Sequence, residues 1–457
     1  MAGVCEPSID LSVDQKTRSA RGERRMSGEK YAWSIGQPPP ALDPHSAAKH
    51  ELVRTYLSRY IDILTSDPRQ DLLNITLVDG FAGGGEYLYQ GRTVHGSPMI
   101  LLQEIDVARA NIALRKKKKF RLNAEFFFVE QRRSNFEFLQ ETLRRSQYAA
   151  LVGESVHPRR GALANEIDGI IQHIRARGTA HRSIFLFDQY GYNQVTLSCI
   201  RQILGQLNNP EIILNFNVDW LINYLSEKEA FLKAILPVEL GLNDVREMLA
   251  MRDQRHARWF IQHFLYKHII RRIGAPYYTC FYVVSPESNR SYWLLHLSGH
   301  PRARDEMARR HWAMSTHSVH QGQAGLNMLG FVPERDLAQL PIDYGFDVNA
   351  AERTKGALMT ELPGLIFDRR AADAPPSLGQ LFSAVCNQTA ATVDLVSESL
   401  IGLRAENEIE IVGPDGKPKP RSKSLSWKDV IRPAAQRSMF STVWPVDAAR
   451  EGASPAV

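Results

Sequence analysis

The feature that most constrains this chain is a succession of short, continuous apolar runs, each ending on a polar residue and each followed by a helical pattern. Ile75–Val78 ends at Asp79, Glu125–Val129 at Glu130, Ser183–Phe187 at Asp188 and Glu211–Leu214 at Asn215. A strand with one wet face alternates apolar and polar residues. Runs this continuous are buried on both faces, as in a parallel sheet covered by helices on each side. Helical spacing fills the intervals: Pro98 to about Lys116, Asn135–Leu143, a helix with Leu163, Ile167, Ile170, Ile171 and Ile174 on one side, and Val195–Leu207. A weak third strand is expected within Tyr148–Val156. Ahead of the sheet, Leu52, Val53, Tyr56, Leu57, Tyr60, Ile61 and Leu64 predict an amphipathic helix, with Asp43 or Ser46 as its N-cap.

The alternation then stops. Residues 226–274 predict a charged helical insertion. Two strand-like runs follow with no helix between them, Tyr277–Val284 and Tyr292–Leu297, joined through Pro286, Ser288 and Asn289. A hairpin closing an otherwise parallel sheet separates the fold of S-adenosylmethionine (SAM)-dependent methyltransferases from that of the dinucleotide dehydrogenases. The expected fold class is therefore α/β, a Rossmann-type, SAM-methyltransferase-like sheet closed by a β-hairpin.

With 457 residues, more than one unit is expected. Residues 1–30 read as a disordered basic tail, 31–310 as the methyltransferase-like domain and 311–376 as a linker region. Residues 377–440 read as a winged-helix-like module and 441–457 as a second disordered tail. The module is read from a helix carrying Leu378, Leu381 and Phe382, a second over about Thr392–Leu403, and Glu408–Val412 leading into the hairpin signal Asp415-Gly416. Four scattered cysteines, Cys5, Cys199, Cys280 and Cys386, show neither CxxC nor CxH spacing. They argue against a disulfide framework or a zinc site and for a reducing cytoplasm. No metal is expected. No apolar run approaches the ~20 residues that span a bilayer, and the polar N-terminus does not read as a secretory signal.

Candidate chemistry gathers at the strand ends, where open α/β sheets bind ligands. Asp79-Gly-Phe-Ala-Gly-Gly-Gly85 follows the first strand directly. Asp79, Gly80, Phe81, Gly83 and Gly85 are candidate cofactor-binding residues: glycine permits a sharp turn and close approach, and Asp79 offers a carboxylate to an ammonium group. A bulky residue at Gly83 or Gly85 is expected to fill ligand space. Glu130 occupies the place where nucleotide-binding folds set an acid on the ribose hydroxyls. Asp188-Gln-Tyr-Gly191 ends the fourth strand, and Asp188 and Tyr190 are the candidate catalytic residues. Base-specific amino methyltransferases often carry Asp/Asn-Pro-Pro-Tyr there, holding the target amine and stacking on its ring. A buried strand-end aspartate with a structural role is the competing reading. Gly96-Ser-Pro98 reads as a helix start capped by Ser97, His296 and His300 as structural, and Lys116–Lys119 as a solvated helix end. Lys417, Lys419, Arg421 and Lys423 alternate along the returning arm of the C-terminal hairpin. They are candidate nucleic-acid-binding residues, with a solubilising loop as the alternative.

At these positions the chain resembles the three-Cys-motif partner family, the TcmP proteins of bacteria. The residues carrying the resemblance are Lys49-His50, Val78-Asp-Gly-Phe-Ala-Gly-Gly-Gly85, Gly96-Ser-Pro98, Val129-Glu130, Leu186-Phe-Asp-Gln-Tyr-Gly191, Asn215-Phe216, Tyr292-Trp-Leu-Leu-His296 and Gly299-His-Pro301. Ala391-Thr392 and the Asp415-Gly416-Lys417 hairpin extend it into the C-terminal module. The chain departs from the family at Gln189, where proline is common. The resemblance implies a methyltransferase-like domain and a partner protein carrying a three-cysteine motif. Three functions stay open: a SAM-dependent methyltransferase acting on nucleic acid, a non-catalytic partner protein binding SAM or a nucleotide, and a small-molecule methyltransferase. The basic hairpin favours the first over the third, and the altered strand-four motif favours the second over the first. A net charge of +6 is compatible with a nucleic-acid partner.

Overall fold

A computed structural model describes residues 31–434 except 117–118, 253–256, 285–290, 315–317, 321–323, 327–343, 346–347, 371–374 and 421–423. The chain divides into two compact units, residues 1–319 and 320–457.

The first unit is built on a large sheet. Its strands include β1 (Leu72–Asp79), β4 (Arg121–Glu130), β5 (Val156–Arg160), β6 (Arg182–Phe187), β7 (Pro210–Phe216), β8 (Tyr277–Val284) and β9 (Ser291–Ser298). These seven lie in the order β8-β9-β7-β6-β1-β4-β5. The pairs β5–β4–β1–β6–β7 are all parallel, while β9 is antiparallel to both β7 and β8. Counted along the chain, the seven stand as 3-2-1-4-5-7-6. That is the Rossmann order with a hairpin folded back into its edge, the methyltransferase arrangement expected from Tyr277–Val284 and Tyr292–Leu297.

Right-handed crossovers need helices on both faces. On one face Tyr56, Leu57 and Ile61 of α1 (Pro44–Leu64), Leu101 and Ile105 of α2 (Ser97–Arg115), and Leu139 and Leu143 of α3 (Arg133–Arg145) share a core with Leu73, Ile75 and Leu77 of β1. Phe126 and Phe128 of β4 and Met307 of α10 (Pro301–Ala313) complete it. On the other, α4 (Leu163–Ala176), α5 (Leu197–Gln206) and α9 (Ala257–Ile273) pack side by side. The 226–274 insertion contains α9, preceded by the short helices α7 (Glu229–Ile235) and α8 (Leu242–Ala250); α6 (Val218–Asn223) comes before it. Among the described residues no helix is long and apolar enough to cross a membrane.

Several local expectations are corrected. The third strand is Val156–Arg160, beyond most of Tyr148–Val156, and Ala149–Leu151 is a 3-10 turn. β5 is the edge strand beyond β4, and an edge strand tolerates Pro158 and exposed arginines that a central one would not. Asp43 is the N-cap residue of α1 as expected, but its side chain makes no capping hydrogen bond and accepts one from the Tyr31 hydroxyl at 2.6 Å. Ser97 lies inside α2, whose N-cap is Gly96. The hairpin of β2 (Glu86–Tyr89) and β3 (Arg92–His95) was not anticipated, although its turn residues Gln90 and Gly91 both have positive φ, 50° and 76°. Pro40–Leu42 runs beside β2, with Leu42 N–H bonded to Leu88 O at 2.8 Å.

In the second unit, the segment read as a linker carries a 23-residue helix, α11 (Val348–Arg370). It packs on α13 (Val393–Ala405), which follows α12 (Leu378–Val385). Two short antiparallel strands, β10 (Ile409–Val412) and β11 (Val430–Pro433), close the described part. The partner of β10 is Val430–Pro433, so the basic arm after Gly416 belongs to a longer connection than the two-residue hairpin expected. Past the Asp415-Gly416 turn that arm does fold back on β10, through an isolated antiparallel bridge between Val412 and Pro418 and Lys419 N–H to Ile411 O at 2.9 Å.

Candidate active site

The carboxyl ends of β1, β4, β6 and β7 open onto one crevice of about 590 Å³, within the usual range for small-molecule sites. Asp79 ends β1 and Asp188 directly follows β6, the two strands flanking the point where the sheet order reverses. Glu130 ends β4 and Asn215 lies near the end of β7.

Asp79 is fully buried. Its Oδ1 accepts the Phe81 N–H at 3.0 Å, while Oδ2 is buried with no hydrogen-bond partner. Burial pushes its carboxyl up to about 7, against the lowering influence of Ser97 and the Phe81 N–H. The Oδ2 atom is thus a buried acceptor with capacity to spare, beside the Ser97 hydroxyl. Glu130 is better supplied: Oε2 accepts the Gly83 N–H at 2.9 Å and Oε1 the Arg132 N–H at 2.7 Å. Burial still holds it above the ordinary glutamate range. Each of its oxygens keeps a lone pair for a further donor, such as a hydroxyl.

The glycine turn serves a different neighbour from the one expected. Gly83 has φ +57°, and a Cβ there would stand 2.8 Å from the Trp33 ring; at Gly84 it would stand 2.3 Å from the same ring. Trp33 is buried, donates Nε1–H to Glu86 O at 2.7 Å and is held by its own N–H to Asn135 Oδ1 at 3.1 Å. The turn is therefore glycine-rich first because an indole from the N-terminal segment lies flat against it. Gly85, with φ +80°, faces Leu139 and Thr142 and does not line the crevice, so its expected ligand contact is withdrawn. Gly80, Phe81 and Gly83 do line it.

Asp188 is half-buried and ion-paired. Lys49 Nζ, from α1, lies 2.5 and 2.7 Å from its two oxygens, and Asn215 Nδ2 donates to Oδ1 at 2.9 Å. Burial alone would raise its pKa, but Lys49, His50 and Asn215 together bring it below the ordinary range. The carboxylate stays charged and fixed. Lys49 is the functional residue that sequence reasoning missed; it was noted only as part of the Lys49-His50 pair. Gln189 is fully buried, and its Oε1 accepts the N–H groups of Gln194 and Val195, both at 3.0 Å. It thereby shapes by hydrogen bonds the loop that proline would stiffen. Tyr190 is 44% exposed, and its ring meets Trp220 edge-on at 5.1 Å and Tyr31 at 6.5 Å. With Tyr292 these rings make one end of the crevice an aromatic-walled mouth.

Of the other sequence candidates, His296 and His300 do not line the crevice, and the basic residues belong to the second unit. Lys419 is ion-paired with the buried Asp429, whose carboxyl is brought below its usual range by Lys419 and the Ser426 N–H although burial opposes this. It is therefore a packing residue rather than a free phosphate contact. Lys417 is exposed, and Arg421 and Lys423 lie outside the described residues. His296 sits in a buried network with Tyr56 and Glu211, and His300 caps α10.

No family model and no curated protein sequence matches this chain. Among solved structures it is similar to protein LPL1258 from Legionella pneumophila, with 10% identity over 54% of this chain and 84% of that one and a TM-score of 0.29. It is also similar to cofactor-bound Rv0187 from MTB, with 12% identity over 64% and 99% and a TM-score of 0.26. A third likeness is to a spermidine synthase in complex with the transition-state analogue AdoDATO, with 8% identity over 56% and 60% and a TM-score of 0.27. The fold is carried by the strand order itself rather than by these distant likenesses.

Proposed function

We propose that the crevice binds SAM and that the protein is a SAM-dependent methyltransferase. The observation that carries this reading is Asp79: a fully buried carboxyl with one oxygen lacking a hydrogen-bond partner, directly behind Gly80 and Phe81, which line the crevice with Glu130, in a sheet of methyltransferase order. The residues fit the cofactor's parts. Asp79 Oδ2 suits the ammonium of the methionine moiety, and the spare lone pairs of Glu130 suit the ribose diol. When bound, SAM supplies a methyl group activated on a sulfonium sulfur.

The opposite end of the crevice supplies the acceptor site. Asp188, kept ionised by Lys49, accepts a hydrogen bond from an incoming amine and so fixes its lone pair in line with the methyl group. Its low pKa makes it a poor base, so the proton released on transfer passes to water. Tyr190 and Trp220 offer faces to a planar acceptor, which supports a nucleobase over an aliphatic substrate. A partner carrying a three-cysteine motif remains part of the proposal through the family resemblance, with co-purification as its test. Calorimetric titration of the chain with SAM and S-adenosylhomocysteine tests the core of the reading. Saturable 1:1 binding is expected, weakened by roughly 1–3 kcal/mol in Glu130→Gln through loss of charge-assisted hydrogen bonds. No binding at millimolar ligand refutes it.

A further inference from the structure

Away from the crevice, three metal-ligating side chains from three elements converge: Glu125 on β4, His157 on β5 and His173 on α4. One donor atom from each lies within 4.8 Å of the others. The parallel pairing of β4 and β5 sets His157 opposite Phe127. The Phe127 ring stands 4.8 Å from the His157 ring and 5.1 Å from that of His173, holding both imidazoles in place. His173 Nε2 is bonded to Glu125 Oε2, while His157 Nε2 is buried with no hydrogen-bond partner.

We propose that Glu125, His157 and His173 form a binding site for a borderline divalent cation, Zn²⁺ fitting best, with water as the fourth ligand. Two imidazoles and a carboxylate are an ordinary donor set for Zn²⁺, and three protein ligands leave one open position. Arg177 holds the place that the cation would take. Its guanidinium pairs with Glu125 Oε1 and lies 3.4 Å from His173 Nε2. The Arg177 side chain is 47% exposed, so it can swing into water when a metal takes its place. Glu125 lies five residues before Glu130 on one strand, about 16 Å away at 3.3 Å per residue, so the ion takes no part in the crevice chemistry. Its effect is to tie α4 to β4 and β5, and α4 begins at Leu163, which lines the crevice. The ligands are separated by 32 and 16 residues, a spacing that a search for compact cysteine and histidine motifs passes over.

The test uses the full chain, tag-free and stripped with chelator, titrated with Zn²⁺ by calorimetry. One ion per chain is expected, and Co²⁺ in its place should give the visible absorption of a four-coordinate site. His157→Gln and His173→Gln should each weaken Zn²⁺ binding roughly tenfold or more. Arg177→Gln should tighten it several-fold by removing the competing cation. The absence of a saturable 1:1 site, or wild-type affinity in both histidine variants, overturns the proposal. Should the histidine variants fail to fold, as judged by circular dichroism, Arg177→Gln decides: unchanged or weaker Zn²⁺ binding there overturns it as well.

Discussion

Replacing Asp79 by asparagine separates what its carboxyl costs the fold from what it offers a ligand. The native carboxyl titrates at about 7 against 3.8 for an ordinary aspartate. The folded protein therefore binds that proton more tightly than the unfolded chain, and stability falls as pH rises from about 4 to about 7, then levels. At about 1.4 kcal/mol per pKa unit, the full penalty is about 4 kcal/mol, of which about 2–3 kcal/mol accrues between pH 5 and pH 8. Asparagine keeps the acceptor for the Phe81 N–H and carries no charge, so it escapes the pH-dependent part. Its new amide N–H groups sit where Oδ2 lacks a partner, which returns about 1 kcal/mol of the gain. Thermal unfolding at pH 5 and pH 8 is the assay. The variant should gain on wild type by several degrees at the higher pH, at about 2–4 °C per kcal/mol. It should also lose SAM binding, because the ammonium loses its counter-charge. Near pH 6 wild-type binding should release a proton, visible as a dependence of the calorimetric heat on buffer, and the variant should release none. A stability difference that does not change with pH would refute the burial argument. Undiminished SAM binding in the variant would remove Asp79 from the site.

Three further outcomes follow from named contacts. Gly83→Ala combines a left-handed backbone, at about 1–2 kcal/mol, with a Cβ pressed on the Trp33 ring, so thermal stability and SAM affinity should fall together. Lys49→Met leaves Asp188 half-buried with less compensation; its pKa rises, and the acid limb of the pH–activity profile should move to higher pH, an unmoved limb arguing against any role for the ionised carboxylate. Lys419→Ser strands the buried Asp429 and should destabilise the second unit by about 2 kcal/mol or more, while leaving the salt dependence of nucleic-acid binding unchanged; a shallower slope would return Lys419 to the phosphate contacts.

The sheet was legible because its strands are buried on both faces. Leu77, Phe126, Phe185 and Ile212 admit no polar alternation, so each run announced itself. Val156–Arg160 did not, since an edge strand satisfies fewer constraints and resembles a loop in composition. Asp79, Glu130 and Asp188 were legible as strand ends, a position that carries meaning in this topology. Lys49 was not, because a lysine on an amphipathic helix reads as a solvated residue until the helix is docked beside β6. The purpose of the glycines was misjudged for a related reason: their neighbour Trp33 lies about fifty residues earlier in the chain, and no local pattern connects them. Likewise the metal-ligand candidates come from β4, β5 and α4 and meet only through strand register and helix packing.

The Trp33 contact also bears on the order in which the molecule assembles. Its N–H meets Asn135, 102 residues away. Made early, that contact would close a very long loop, at about 4 kcal/mol of chain entropy from the length-dependent part alone. Made after α1 and α3 are in place, it closes only the short stretch leading to Asp43. The indole therefore docks late, on a finished sheet. By the same reasoning it is among the first pieces to lift away when the structure fluctuates. Were the crevice to hold the proposed cofactor, a wall that closes last and opens first would let it enter and its spent form leave through a local excursion of the Trp33 segment, with the sheet that carries Asp79 and Glu130 still folded.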